Sequence, residues 1–288
     1  MATLETLTDN LPSRRQRRRR PKAKGKAADG SPARNDQYQM KAIARALDVL
    51  DAFDDSDTPL ALKDIAGLVQ LPESSLFRIL LTLKAQGYLL QNEDGSYRLP
   101  DKLLYGRVQA RGERLKKALR PLLEGLAAQF DETASLAYLY GDQIRVLDAV
   151  ETFQEIRMIN RPGRALPPHC SSMGKAITAF QEPARIERMF DAYGLFRRTE
   201  YSIIDRHVLV REFADIRERG YAADRQETVL GGICIGAPIA AADKRVIAAM
   251  SVSTPMIRMT REREAEITRT VMEFARRASR KVHETGLA

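Results

Sequence analysis

At 288 residues the chain is long enough for two domains, and 44% hydrophobic with 30% charged residues is the balance of a globular protein rather than a disordered or fibrous one. No apolar run approaches the roughly 18 residues of a membrane span, the N-terminus lacks an apolar signal-peptide core, and two cysteines, Cys170 and Cys234, do not make a disulfide scaffold. A cytoplasmic protein with reduced thiols is therefore expected. The net charge of +9 is unevenly placed: Arg14 to Lys26 holds nine basic residues and no acidic one, as much as the whole excess.

Residues 1–39 are poor in apolar residues and carry this run, which repels itself, so they read as a disordered basic arm. Such an arm either lies along DNA phosphates, where counterion release drives binding, or is a solvated tail without a specific role. Tyr38 to Phe53 reads as an amphipathic helix with Ile43, Leu47, Leu50 and Phe53 on one face. Leu62, Ile65, Ala66 and Val69 form a second helical stripe. Gln70-Leu71-Pro72 then breaks the pattern, because proline cannot continue a helix but suits the first turn of the next. In that next helix Leu76, Ile79, Leu80 and Leu83 face inward and Ser74, Ser75, Arg78 and Thr82 outward, and Gly87 supplies a left-handed end.

Two short helices at a tight corner, the second with a small polar face, are a helix-turn-helix pattern. An ordinary helical hairpin in a core is the alternative. Arg78 has the geometry for two hydrogen bonds to a guanine edge, and the serines suit phosphates or bases. Arg45 on the first helix and Arg98 beyond the third complete the candidate DNA contacts. Tyr88 to Leu99 places two short apolar runs around Asp94-Gly95, a hairpin signal, and three helices plus a hairpin make a winged helix. Residues 40–100 hold six Lys or Arg against nine Asp or Glu, a net charge of −3. Non-specific attraction to DNA must then come from the arm and from Asp101 to Arg120, a connecting helix with seven basic residues against two acidic ones.

Pro121 marks a boundary, with Leu122 to Phe130 helical after it. Ser135 to Tyr140 and Gln143 to Val150 read as strands around Gly141-Asp142, Arg161 to Pro168 as a loop, and Ser171 or Ser172 as the cap of a helix reaching Phe180. Asp205 to Arg219 is a helix stopped at Gly220. Gly232 to Ala240 and Val246 to Ser253 are strands, and Glu262 to Glu284 is a closing helix with Ile267, Val271, Phe274 and Val282 inward. An antiparallel sheet flanked by helices is α+β. The expected division is an arm over 1–39, a winged helix over 40–100, a linker helix over 101–121 and a second domain over 122–288.

This order of elements resembles the IclR family of bacterial transcription regulators over about residues 40–285. The matching stretches are Ile43-Ala-Arg45-Ala-Leu47, Leu71-Pro72-Glu-Ser74-Ser75, Arg78 to Leu80, Gly87, Pro168-His169 and Gly174-Lys175-Ala176. The most specific are Gly220-Tyr-Ala-Ala-Asp224-Arg-Gln-Glu227, then Cys234-Ile-Gly-Ala-Pro-Ile239 and Ser251-Val-Ser253. The resemblance implies a winged helix, a linker helix and a GAF-like α+β effector-binding domain, assembled as dimers or pairs of dimers on palindromic operators. It also implies an effector site built from Ser172, Met173, Gly174, Asp224 and Cys234, with Ser251 and Ser253. Three features depart from the pattern. Ala42 stands where Ser is frequent, Glu73 where a basic residue is common, and the turn Ala241 to Lys244 lacks the usual glycine. The basic arm belongs to no family pattern.

A capped helix start at Ser171 to Gly174 suits a carboxylate, since its N–H groups and partial positive charge face outward. Asp224 would repel a bare anion and so is expected to accept a hydrogen bond from a hydroxyl or hydrated carbonyl. A small hydroxy- or oxo-acid satisfies both ends. Leu166-Pro-Pro-His-Cys-Ser-Ser-Met-Gly174 is also similar to regulators of aromatic-acid (β-ketoadipate pathway) catabolism, which points to a hydroxybenzoate-type effector.

Neither metal nor cofactor is expected: His169, Cys170 and Cys234 do not have a zinc-ligand spacing, and adjacent His-Cys is awkward for one ion. Cys234 in an apolar strand is either a buried small hydrophobe or part of the pocket lining. A cysteine hydrolase would need a base such as His169 or His207 beside the thiol, and nothing in the sequence places one there. The expected function is a ligand-responsive DNA-binding regulator. The alternatives are a small-molecule-binding enzyme with an appended helical domain, and a regulator whose pocket stays empty.

Overall fold

The structure, a computed structural model, describes residues 40–53 and 59–287; the Arg14–Lys26 arm lies outside them. The first unit is built from α1 (Lys41–Asp51), α2 (Leu62–Val69), α3 (Glu73–Ala85) and a two-stranded hairpin of β1 (Leu90–Gln91) and β2 (Tyr97–Arg98). Its core is Val49, Leu50, Phe53, Ile65, Leu76, Leu80, Leu83, Leu89, Tyr97 and Leu99. Gln70 takes the left-handed conformation that closes α2, and Gly87, at φ +73°, turns the chain out of α3 towards the hairpin.

The first helix differs from the expected one. Its buried stripe is Ala46, Val49, Leu50 and Phe53, displaced along the sequence from the expected one, while Ile43 and Leu47 are 54% and 55% exposed. The inward side of a three-helix unit this small seats only the C-terminal half of α1. Met40, Ile43 and Leu47 form a separate apolar stripe without cover among the described residues.

The helix α4 (Asp101–Phe130) runs unbroken through Pro121, where an end was expected. At 30 residues it spans about 45 Å. Pro121 removes one hydrogen-bond donor, which costs a helix interior roughly 3 kcal/mol. Complete burial of Leu115, Leu119, Leu123 and Leu126 along one side offsets that cost and carries the helix past the proline.

The second unit is a six-stranded antiparallel sheet in the order β5-β4-β3-β8-β7-β6, formed by β3 (Thr133–Tyr140), β4 (Gln143–Val150), β5 (Ala165–Leu166), β6 (Ala222–Arg225), β7 (Gly232–Ala240) and β8 (Val246–Pro255). One face carries Leu136, Tyr138, Ile235, Ala237, Met250 and Val252 against α4 and α8 (Arg261–Thr285), whose Ile267, Val271, Phe274 and Val282 point inward as expected. The other face packs Ala137, Leu139 and Ala249 against α5 (Ser172–Thr178), α6 (Pro183–Tyr193) and α7 (Arg206–Arg219). This is the expected α+β arrangement. The expected loop 161–168 contains the short edge strand β5, the helix expected to reach Phe180 ends at Thr178, and α6 and β6 were not anticipated. Lys244 adopts φ +70° in the turn between β7 and β8, so the usual glycine is replaced by a lysine in a left-handed conformation. No helix among the described residues is long and apolar enough to cross a membrane.

Candidate effector cavity and DNA-reading face

Strand pairing sets pocket residues of three consecutive strands, β6, β7 and β8, side by side and joins them to the distant β3. Asp224 on β6 pairs with Cys234 on β7, Cys234 with Ser253 on β8, and Ser253 with Thr133 on β3. The next row on the same face is Ala222, Gly236, Ser251 and Ser135. Because side chains alternate along a strand, Ser251 and Ser253 share one face, and the apolar Val252 between them goes to the core on the other.

The start of α5 lies directly over this floor. Gly236 allows it: a Cβ there would stand 3.0 Å from the Ser172 carbonyl carbon and 3.2 Å from the Met173 nitrogen. Gly174 is equally constrained, since a Cβ would stand 2.1 Å from the Pro167 carbonyl oxygen. Ser171 caps the helix by accepting from the Gly174 N–H at 3.1 Å and donates to the Pro167 carbonyl at 2.7 Å.

A half-open cavity of about 370 Å³ lies here, within the size range of small-molecule sites. Of the seven expected effector residues, Ser172, Met173, Asp224, Cys234, Ser251 and Ser253 line it. Gly174 does not; its place is explained by the contact with Pro167. The remaining wall comes from the segment Arg157 to Asn160, from Arg164 and Leu166, and from Arg198, Thr228 and Val229. The segment is fastened to the floor: Thr133 donates to the Met158 carbonyl at 2.6 Å, and Asn160 Nδ2 donates to Ser135 Oγ at 2.9 Å and Ser253 Oγ at 3.4 Å. The sequence reading missed this wall.

The electrostatics are uneven. Among the described residues, Asp224 is the one carboxylate lining the cavity. Its Oδ1 accepts from the N–H groups of Glu227 at 2.8 Å and Thr228 at 3.1 Å, so one oxygen is committed to the backbone. Burial pushes its pKa up, against these hydrogen bonds and the nearby Lys175 charge, so it holds a proton more readily than an ordinary aspartate. Burial also pushes up the Cys234 thiol and pushes Cys170 up to about 12, which keeps both neutral. Behind the cavity, Lys175 is almost fully buried, with Nζ 2.6 Å from Glu227 Oε1 and 3.2 Å from Glu212 Oε1. Burial pushes Glu227 up to about 7, the Lys175 charge opposing it.

On the first unit, Ser74, Ser75, Arg78 and Thr82 are all exposed on one side of α3, opposite buried Leu76, Leu80 and Leu83. The Thr82 hydroxyl is already occupied, donating to the Arg78 carbonyl at 2.8 Å. Phe77 and Leu81, not anticipated as contacts, are 46% and 45% exposed on the same helix. Arg45 is exposed on α1, and Arg98 is half-buried on β2.

A winged helix followed by an α+β unit with a half-open cavity lined by polar and apolar side chains defines a ligand-binding DNA-binding protein. The IclR helix-turn-helix domain matches residues 42–93, and the bacterial transcriptional regulator IclR C-terminal domain matches residues 110–280. The chain belongs to the IclR family of transcription regulators. It is 34% identical over 266 residues to the HTH-type transcriptional regulator BhcR of Paracoccus denitrificans, covering 92% of this chain and 94% of that one. It is 28% identical over 223 residues to the Pca regulon regulatory protein of Pseudomonas putida, covering 77% of each. The crystal structure of the Thermotoga maritima IclR is similar with a TM-score of 0.56 and 26% identity, over 85% of this chain and 99% of that one. These relatives are regulators rather than enzymes, so the first alternative, an enzyme with an appended helical domain, is set aside.

Proposed function

We propose that the protein binds a palindromic operator as a dimer or pair of dimers and is controlled in the cytoplasm by a small hydroxy- or oxo-acid, a hydroxylated aromatic carboxylate among the candidates. The observation that carries the effector half is the row Asp224, Cys234 and Ser253 across three strands, beside Ser251 and under the capped start of α5, at a half-open cavity. Ser172 and Met173 form its roof. On the DNA side, α3 enters the major groove, Arg78 reads a guanine edge, and Ser74 and Ser75 bond bases or phosphates. Exposed Phe77 and Leu81 suit thymine methyl groups. Arg45, Thr82 and Arg98 flank this face. The arm over 1–39 and the basic first part of α4 supply non-specific attraction. The exposed stripe Met40, Ile43 and Leu47 suits a second copy of the chain, since a self-complementary apolar patch is what a two-fold interface requires.

In this reading residues 40–100 form the DNA-binding domain, 101–121 the linker and 122–288 the GAF-like effector domain. The effector acts by binding one arrangement of the paired DNA-binding domains better than another, since equal binding would shift nothing. Selection of bound sequences from a random DNA pool at two salt concentrations tests the proposal. A palindromic consensus is expected, with Arg78→Ala relaxing one position in each half and weakening cognate binding by about 1–3 kcal/mol. Binding without a consensus, lost steeply with salt, would leave only the arm at work.

A further inference from the structure

Residues 40–100 carry a net charge of −3, so the positive charge that a DNA-binding chain needs lies elsewhere, and part of it lies on α8. Arg276 to Thr285 holds four Lys or Arg against one Glu, and Arg111 to Arg120 on α4 holds five against one. Packing of the two helices brings these stretches to one open groove of about 380 Å³. Ala118, Pro121 and Leu122 of α4 form one side. Arg277, Arg280 and Lys281 of α8 form the other, with Glu284 the one acid on its lining among the described residues.

Ion pairing leaves most of this charge uncancelled. Arg120 is engaged by Glu124 and Asp148. Arg277 lies over the Phe274 ring, 4.8 Å from its centroid, which fixes the guanidinium without neutralising it. Arg114, Lys117, Arg280 and Lys281 are exposed and make no ion pair among the described residues. Arg114 and Lys117 stand four residues before Ala118 and Pro121, so they share the groove side of α4. On α8, Arg276 with Arg280 and Arg277 with Lys281 are like-charged pairs four residues apart, which repel along a helix. An anion laid along the groove turns that repulsion into attraction.

The shape favours a chain of charges over a small anion. A small-molecule site converges a few fixed polar groups in a concave pocket, whereas this groove is open and none of its lining side chains is a buried polar group in want of a partner. The phosphates of a duplex place one charge per roughly 1.7 Å of axis. Asp101, at the start of α4, follows the hairpin directly, and Ala118 lies about 25 Å further along the same helix, the length of roughly seven base pairs.

We infer that the α4–α8 groove is a second phosphate-binding surface, which takes the backbone of the duplex flanking the half-site read by α3. This rests on the proposed operator reading by α3. It adds α8, a part of the effector unit to which that reading gives no contact with nucleic acid, to the DNA-binding surface.

The experiment is fluorescence anisotropy of the full chain at several salt concentrations, with two duplexes. One carries the selected consensus alone, and the other adds about 15 base pairs on each side, roughly one and a half helical turns. Arg280→Glu/Lys281→Glu is compared with the wild-type protein, Arg277 being left in place because it packs on Phe274. Arg197→Glu/Arg211→Glu, at exposed positions on and before α7, makes the same change of net charge away from the groove. Thermal melts and sedimentation establish that both variants are folded and keep the wild-type assembly. The flanked duplex should bind the wild-type protein about tenfold tighter than the consensus alone. The α8 variant should lose that gain and lower the salt slope on the flanked duplex by about 2, one for each phosphate contact. On the consensus alone it should bind as the wild-type does, and the α7 control should keep the gain. An α8 variant that retains the gain and the slope would overturn the inference and leave the operator reading intact. So would a sedimentation shift in that variant alone, since the groove would then hold a second copy of the chain. Absence of binding to either duplex would sink both readings.

Discussion

The winged-helix unit buries ten apolar side chains and keeps Ser74, Ser75 and Arg78 outside on one helix. The effector unit draws Glu132, Asp148, Lys175, Asp224 and Glu227 inside. Each interior charge there has a named partner. Glu132, fully buried, receives Arg258 through two contacts of 2.7 Å, and Asp148 is held by Arg120 at 3.0 Å. A reader of DNA needs its polar groups at the surface and only enough core to hold one helix still. A pocket that discriminates small molecules needs polar groups where water is excluded, each fixed by a further shell of bonds. Substitutions should therefore behave differently in the two units: those on α3 should change binding and spare stability, and those behind the cavity should do the reverse.

The largest effect is expected at Lys175. Above pH 7, where Glu227 is ionised in the wild-type protein, Lys175→Ala strands its carboxylate in the interior without its cation and leaves Glu212 with Arg219, at 2.9 Å. Breaking a buried pair by removing one partner costs about 3–5 kcal/mol, which lowers the melting temperature of a unit this size by on the order of 10 °C. Arg78→Ala, on an exposed position, should stay within about 0.5 kcal/mol of the wild-type stability. Thermal melts of the two variants side by side decide the matter, and a Lys175 variant as stable as the Arg78 one would dissolve the distinction drawn here.

Next in size is a pH effect. Glu227 is pushed from 4.5 up to about 7 in the folded chain. Between those values the native state holds a proton that the unfolded state has lost, so unfolding free energy falls as pH rises through this window and levels off above it. The contribution is on the order of 2–3 kcal/mol. Denaturant titrations at pH 5 and pH 7.5 should show the wild-type protein losing stability relative to Glu227→Gln across that interval. A constant difference between the two would mean that the Glu227 carboxyl is not held protonated by its surroundings.

How much of this the sequence disclosed follows from the length scale of each signal. The α3 face was legible because Leu76, Leu80 and Leu83 mark the inward side over about two turns, which fixes Ser74, Ser75 and Arg78 opposite. The pocket floor was legible because Asp224, Cys234, Ser251 and Ser253 fall in the stretches that match the family. Strand pairing is what turns that sequence match into a surface. The cavity wall was not legible. Asn160, Arg164 and Arg198 sit in irregular segments without period, and arginines are too common in a chain with 47 basic residues to single any out. β6 is four residues long, too short for an alternation to register. α6 had a signal that went unread, a proline at its first position followed by Ile186, Met189 and Phe190. Pro121 misled in the opposite direction: a local rule yielded to the burial of four leucines on one helix face.

The smallest expected effect sharpens the DNA-reading side. Thr82 belongs to the polar face of α3, yet its hydroxyl donates to the Arg78 carbonyl one turn back, a bond internal to the helix. Thr82→Val keeps the shape and the methyl group and removes only that hydroxyl. If the hydroxyl serves the helix, operator affinity should change by less than about twofold, well under the loss expected for a base-reading hydrogen bond of 1–3 kcal/mol. Thr82→Ser, which keeps the hydroxyl and removes the methyl, should cost more wherever that methyl packs against a thymine. The comparison is made on the selected consensus by fluorescence anisotropy at fixed salt. A Val variant weakened tenfold with an unaffected Ser variant would show that the hydroxyl leaves the Arg78 carbonyl for DNA on binding, so that the bond in the unbound chain holds the side chain in reserve.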